Sequence, residues 1–190
     1  MNSLSSTTKV QPLVERLDRA VEESSCEAIC HAVKTALEEL IASGQCVLES
    51  RFQTPVPDKY ARRLVHKHPD GKYVLMAMVW GPGQGTMIHD HSGMWCVECV
   101  YRGRIEVVSY DLVGTDTDVP CSFTREKLIH AGPGEAGALI PPFDYHTITN
   151  VDDDLAVTLH VYGGEMNWCH VFVPMDGGYR RERRDLCYTD

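Results

Sequence analysis

From Gly83 the chain runs five residues to His89, one to His91, four to Cys96 and six to Gly103, and this series of spacings restricts the fold more than any other stretch. Residues two apart on a β-strand share a face and stand roughly 6.5–7 Å apart. On extended backbone, His89 and His91 therefore converge on one ion with bonds of about 2.0–2.2 Å. Gly83, Gly85 and Gly103 flank them and mark turns. The spacing alone is weak, because His66-Lys67-His68 has it too. That segment runs straight into Pro69-Asp70-Gly71 and reads as an exposed turn.

Downstream of Tyr60, short apolar segments alternate with turn punctuation. Strands are predicted over 73–80, 86–91, 94–101, 105–110, 139–140, 155–162 and 169–173, with breaks at Gly81-Pro82-Gly83, Tyr101-Arg102-Gly103 and Gly132-Pro133-Gly134. Many short strands with glycine turns make a sandwich or barrel. Ahead of them, Leu13, Leu17, Ala20 and Val21 recur at helical spacing, as do Ile29, Val33, Leu37, Leu40 and Ile41. Ser24, three residues before Glu27, reads as a capping box for the second helix, and Gly44 as its stop. The expected architecture is an all-β core, a small β-barrel or jelly roll, with two N-terminal α-helices packed on one face. Residues 1–8 read as disordered and 9–190 as one domain, with a helical cover over 9–44 and the barrel over 60–175.

His146 is the candidate third ligand, following the proline-rich turn Pro141-Pro142-Phe143-Asp144-Tyr145. His31, His66, His68 and His130 are assigned structural or surface places. In Leu155–Tyr162, alternation sets Leu155, Val157, Leu159 and Val161 on one face and Thr158, His160 and Tyr162 on the other. If the aliphatic face packs under the helices, the polar face looks into the barrel. Buried polar groups there must bond to one another or to a ligand.

Composition narrows the partners. A formal charge of −9 and an acidic pI near 5.4 argue against neutralising nucleic-acid phosphates or docking on an anionic membrane. The longest apolar run, Val74 to Trp80, is far too short to span a bilayer, and residues 1–8 lack the basic start and apolar stretch of a secretory signal. The expectation is a soluble cytoplasmic protein, with a monomer as a plausible state. Eight cysteines without regular dense spacing read as reduced thiols. Cys96 and Cys99 form a CxxC, but three residues apart on a strand they point to opposite faces. The mixed-charge run Arg180–Asp185 reads as a solvated tail.

The His89 to Gly103 pattern resembles the first metal-binding motif of the cupins, in which the Cys96 position usually carries a glutamate ligand, and the segment around His146 to Asn150 resembles the second. Tyr60-Ala61-Arg62-Arg63-Leu64-Val65, Trp80-Gly81 with Ile88-His89-Asp90-His91, Cys96, Thr158–Tyr162 and Cys169-His170-Val171-Phe172 together resemble the type I cysteine dioxygenases, the thiol dioxygenase branch of the cupins. The resemblance implies a cupin barrel holding Fe(2+) through His89, His91 and His146. Arg62 would clamp a substrate carboxylate with Tyr60 beside it, Tyr162 would be the active-site phenol, and His160 and Thr158 would bond in series behind it. Cys96 falls where animal members form a thioether to the tyrosine.

The implied activity adds both atoms of O2 to the thiol of a small carboxylate-bearing molecule, L-cysteine first. Alternatives are 3-mercaptopropionate or mercaptosuccinate, with Arg63 available for a second carboxylate. A reading of another class is a non-catalytic metal- or ligand-binding cupin, or a cupin isomerase. With cysteine at position 96, the resemblance leaves three neutral imidazoles and an ion of undiminished double charge.

Overall fold

The computed structural model describes residues 10–142 and 144–189. The segment 1–8, expected to be disordered, lies outside the described residues. Helix α1 spans Gln11–Ala20 and α2 Cys26–Ala42. Pro12 sits in the first turn of α1, where a missing N–H costs nothing. The cap of α2 is Ser25, one residue beyond the expected Ser24: its hydroxyl accepts from the Ala28 N–H at 3.1 Å. Gly44 ends the helix at φ +69°, as expected.

Eleven strands follow among the described residues: β1 Ala61–Lys67, β2 Val74–Trp80, β3 Ile88–His89, β4 Cys96–Arg102, β5 Ile105–Val113, β6 Ser122–Ala131, β7 Ala136–Leu139, β8 His146–Asn150, β9 Ala156–Tyr162, β10 Trp168–Met175 and β11 Gly178–Asp185. They form a five-stranded sheet in the order β1-β2-β9-β4-β7 and a six-stranded sheet in the order β11-β10-β3-β8-β5-β6. This is the two-sheet cupin, or double-stranded β-helix, architecture, with two helices packed against it.

The sequence missed β1, β6, β8 and β11 as strands. The last is a correction, because the charged run Arg180–Asp185 is no loose tail. It pairs antiparallel along β10, from Trp168↔Asp185 to Met175↔Gly178. A charged strand at a sheet edge lacks the apolar alternation on which a strand reading depends.

Two cores sit on opposite faces of the five-stranded sheet. Val157, Leu159 and Val161 of β9 pack with Leu13, Leu17, Val33 and Leu37 of the helices. Between the sheets lie Trp80, Cys96, Val100, Ile148 and Tyr162. The alternation read in β9 therefore holds: its aliphatic face meets the helices and its polar face lines the interior. Cys96 faces inward and Cys99 outward, and no cysteines are bridged among the described residues. No helix there is long and apolar enough to cross a membrane.

Candidate metal centre

Three imidazoles meet because two short strands are in register. His89 ends β3 and is the cross-strand partner of His146, the first residue of β8. Their ring centroids are 4.4 Å apart, and His91 stands 5.2 Å from His89 and 5.1 Å from His146. One ligand nitrogen from each lies within 4.8 Å of the others. His91 and His146 are each 1% exposed.

The tautomers suit a metal. Nδ1 of His89 faces the Met87 carbonyl at 3.0 Å, Nδ1 of His91 faces Asp144 Oδ2 at 3.1 Å, and Nδ1 of His146 faces the Asp144 carbonyl at 3.0 Å. Each ring thus donates from Nδ1 and keeps the Nε2 lone pair for an ion, the usual arrangement behind metal-binding histidines. Burial, and next the neighbouring His146 and His91, hold His89 well below its ordinary value of 6.5. Burial also lowers His91. Neutral rings are the form that ligates, so the donor set fits a divalent ion.

Asp144 escaped the sequence reading, although it lies two residues before His146. It is 3% exposed, and its carboxylate also accepts from the backbone N–H of His91 at 3.0 Å. One side chain and its own carbonyl thereby orient two of the three imidazoles. The loop after His91 is held similarly. Asp90 accepts from the N–H groups of Ser92 at 3.1 Å and His170 at 2.9 Å, and its other oxygen meets His170 Nδ1 at 2.7 Å. These bonds keep Ser92 at φ +55°, a conformation that ordinary residues seldom adopt.

A polar series runs inward along β9. Trp80 Nε1 donates to Thr158 Oγ1 at 2.9 Å, Thr158 Oγ1 lies 2.7 Å from His160 Nε2, and His160 Nδ1 lies 3.4 Å from the Tyr162 hydroxyl. Burial brings His160 down to about 4, so it is neutral near pH 7. Burial raises Tyr162 and Cys96 well above their ordinary values, keeping both protonated. Cys96 of β4 is the direct cross-strand partner of Tyr162.

Arg62 reaches the interior from β1 and is 5% exposed. Its Nη1 donates to the Cys187 carbonyl and Nη2 to that of Met166, both at 3.3 Å, while Nε is buried without a partner. Tyr60 stacks on Trp80 at 4.5 Å. A cavity of about 30 Å³ joins Tyr60, Arg62, Tyr162 and the three histidines. All the expected site residues except Cys96 and Thr158 line it, and those two stand directly behind Tyr162 and His160. Arg63 points elsewhere: its Nε and Nη2 meet the Thr54 carbonyl at 2.9 and 2.7 Å on the exposed side, which places it badly for a second substrate carboxylate.

Glu98 sets a titratable carboxyl beside the three imidazoles, a neighbour the sequence reading did not single out. It follows Cys96 by two positions on the inward face of β4 and is 5% exposed. Oε2 lies 3.7 Å from His146 Nε2 and 3.6 Å from His160 Nδ1. Burial pushes this carboxyl up, but His146, His160 and His91 outweigh burial and bring it to about 2. Conversely, burial alone would lower His146, and Glu98 raises it. The sequence signal was present, since any inward residue two beyond Cys96 shares its face. Glu98 and His146 also close the inner end of a second cavity of about 350 Å³ with walls that include Val107, Ala138 and Leu139.

The sequence model of the family described as cysteine dioxygenase type I matches residues 35–174. The chain is 27% identical to cysteine dioxygenase type 1 of Rattus norvegicus over 154 residues, covering 76% of this chain and 75% of the rat protein. It is 25% identical to that of Homo sapiens over 115 residues, covering 60% and 56% respectively. Among solved structures, a protein with a double-stranded β-helix domain from Klebsiella pneumoniae superposes with a TM-score of 0.47 at 16% identity, covering 63% of this chain and 91% of that one. With the family's pattern matched across most of its length and three histidines gathered as a metal site, the chain belongs to the cysteine dioxygenase type I family of oxidoreductases.

Proposed function

We propose that the protein is a ferrous thiol dioxygenase acting on a small carboxylate-bearing thiol, with L-cysteine as first substrate and cysteine sulfinate as product. The observation that carries this reading is one pocket joining three free imidazole Nε2 groups, a buried arginine with an unpartnered N–H, and a buried tyrosine hydroxyl. Iron(II) held by His89, His91 and His146 would supply open positions where sulfur and O2 meet, and the redox capacity to join them. The reaction balances without an outside reductant: R–SH and O2 give R–SO2H.

Arg62 is the carboxylate clamp. Its fork is always charged, and a carboxylate would satisfy the idle Nε. Anchoring that end fixes where the thiol falls. Thr158, having received the Trp80 N–H, turns its own hydrogen to His160 Nε2, so His160 carries its proton on Nδ1 beside Tyr162. The Tyr162 oxygen then accepts from behind, and its hydrogen is directed into the pocket toward the reacting groups. Glu98 disfavours a thiol with two carboxylates, since a second anion would approach an existing buried one.

The test is oxygen uptake by the iron(II)-loaded protein with cysteine, 3-mercaptopropionate, mercaptosuccinate and homocysteine. Cysteine is expected to give the highest kcat/KM and a product heavier by two oxygen atoms. Uptake with 3-mercaptopropionate but not cysteine would reassign the substrate, and no uptake with any of them would favour a binding cupin.

A further inference from the structure

We infer that the stretch 186–189, which follows β11, is a lid over the pocket, latched by Arg62 and released when a ligand's carboxylate takes the guanidinium. The inference rests on the substrate reading above and adds a gate to it. The pocket is closed: about 30 Å³ has room for roughly two waters, far short of cysteine. Part of its wall must therefore move to admit a thiol of that size. Most of the lining side chains stand on β1, β2, β3, β8, β9 and β10, whose ladders hold them. Leu186 and Met166 lie outside the ladders, the first beyond β11 and the second in the turn between β9 and β10.

These two stretches meet each other and Arg62. The Leu186 N–H donates to the Asn167 carbonyl at 2.8 Å, and the Tyr188 hydroxyl to Glu165 Oε1 at 2.9 Å. Thr189 and Arg62 exchange two bonds, the Thr189 N–H to the Arg62 carbonyl at 2.7 Å and the Arg62 N–H to Thr189 Oγ1 at 3.0 Å. The carbonyls gripped by Nη1 and Nη2 of Arg62 are those of Cys187 and Met166, one from each stretch. The guanidinium is thus the clasp that joins them over the cavity. Both of its bonds are long at 3.3 Å, and a carboxylate is a stronger acceptor that suits the planar fork. A stretch held by so few bonds opens locally without unfolding the sheets. A carboxylate arriving during such an opening takes the fork and keeps the clasp undone, whereas a thiol without one leaves it to close again. The lid makes the carboxylate, more than the thiol, the group that admits a substrate.

Amide hydrogen exchange reads the lid directly through the bonded N–H groups of Leu186 and Thr189, with the β10–β11 ladder as reference. The zinc-loaded protein is used, since zinc has no redox chemistry and turns over no thiol. In Arg62→Gln the two amides should exchange at least roughly tenfold faster than in the wild type, as expected for loss of a bond to a charged group, while the ladder amides keep their rates. No rise, or an equal rise along the ladder, overturns the inference. Saturating cysteine should accelerate the same two amides in the wild type, and cysteamine, which lacks the carboxylate, should not. Cysteine that binds by calorimetry without accelerating them, or equal acceleration by cysteamine, also overturns it. If cysteine does not bind, the substrate reading fails and Arg62→Gln decides the lid by itself.

Discussion

Arg62 is held by weak, replaceable contacts: two carbonyls at 3.3 Å, a thioether at 3.6 Å and nothing at Nε. In the proposed reading, a substrate carboxylate would exchange these for charge-assisted bonds, each worth about 1.5–3 kcal/mol. Lysine keeps the charge but loses the planar fork. Arg62→Lys should therefore lower kcat/KM for carboxylate-bearing thiols roughly ten- to a hundredfold. Metal content measured on the same sample should not change, because Arg62 touches no imidazole ligand. His160 gives a pH dependence of definite sign. Its folded value of about 4 lies below the ordinary 6.5 because it is buried, so the unfolded chain takes up the proton first. Its contribution is fully present above pH 6.5 and is lost as pH falls from 6.5 toward 4. Denaturant titrations of the chelated, metal-free protein should show stability declining through that window, by a few kcal/mol at most at about 1.4 kcal/mol per unit.

At the scale of elements, β9 carries the relay because its neighbours fix its register. It lies between β2 and β4, setting Met78 and Val100 beside Thr158, Met76 and Glu98 beside His160, and Val74 and Cys96 beside Tyr162. Thr158→Val removes the hydroxyl and leaves the Trp80 N–H and His160 Nε2 buried without partners. A loss of about 1–3 kcal/mol for each orphaned group is expected, with reduced turnover. Thr158→Ser keeps the hydroxyl and should retain both stability and turnover. The turn between β4 and β5 is equally constrained. Gly103 has φ +77°, and an added Cβ would stand 2.9 Å from Ala156 Cα and the Leu155 carbonyl. Gly103→Ala should cost about 1–2 kcal/mol for the left-handed conformation, before the contact is relieved. The corresponding fall in Tm is at least roughly 2–8 °C.

For the whole molecule, legibility followed periodicity. β2 and β9 were readable because a helix-covered sheet makes them apolar on at least one face, and the three histidines were readable because register and turn glycines repeat a known spacing. β11 was not, since an edge strand of alternating charges has no apolar face to reveal it. The spacing of Glu98 from Cys96 does put it on the inward face of β4, but its weight and that of Asp144 depend on what lies across the barrel, which local sequence does not encode. The same geometry predicts how metal affects stability. His89, His91 and His146 come from β3, the loop after it and β8, which pair through one register contact, His89↔His146. Without an ion, three desolvated imidazoles of the six-stranded sheet and the buried Glu98 carboxyl of the five-stranded sheet face one another between the sheets. An ion that binds only the folded chain stabilises it by RT ln(1 + [L]/Kd), about 2.7 kcal/mol at a hundred times Kd. For a chain of this length, that corresponds to a rise of about 5–10 °C in Tm. Thermal unfolding with added metal and after chelation should show this difference, and His146→Ala should abolish it. If the metal raised the Tm of His146→Ala as much as that of the wild type, the stabilising ion would have to bind elsewhere.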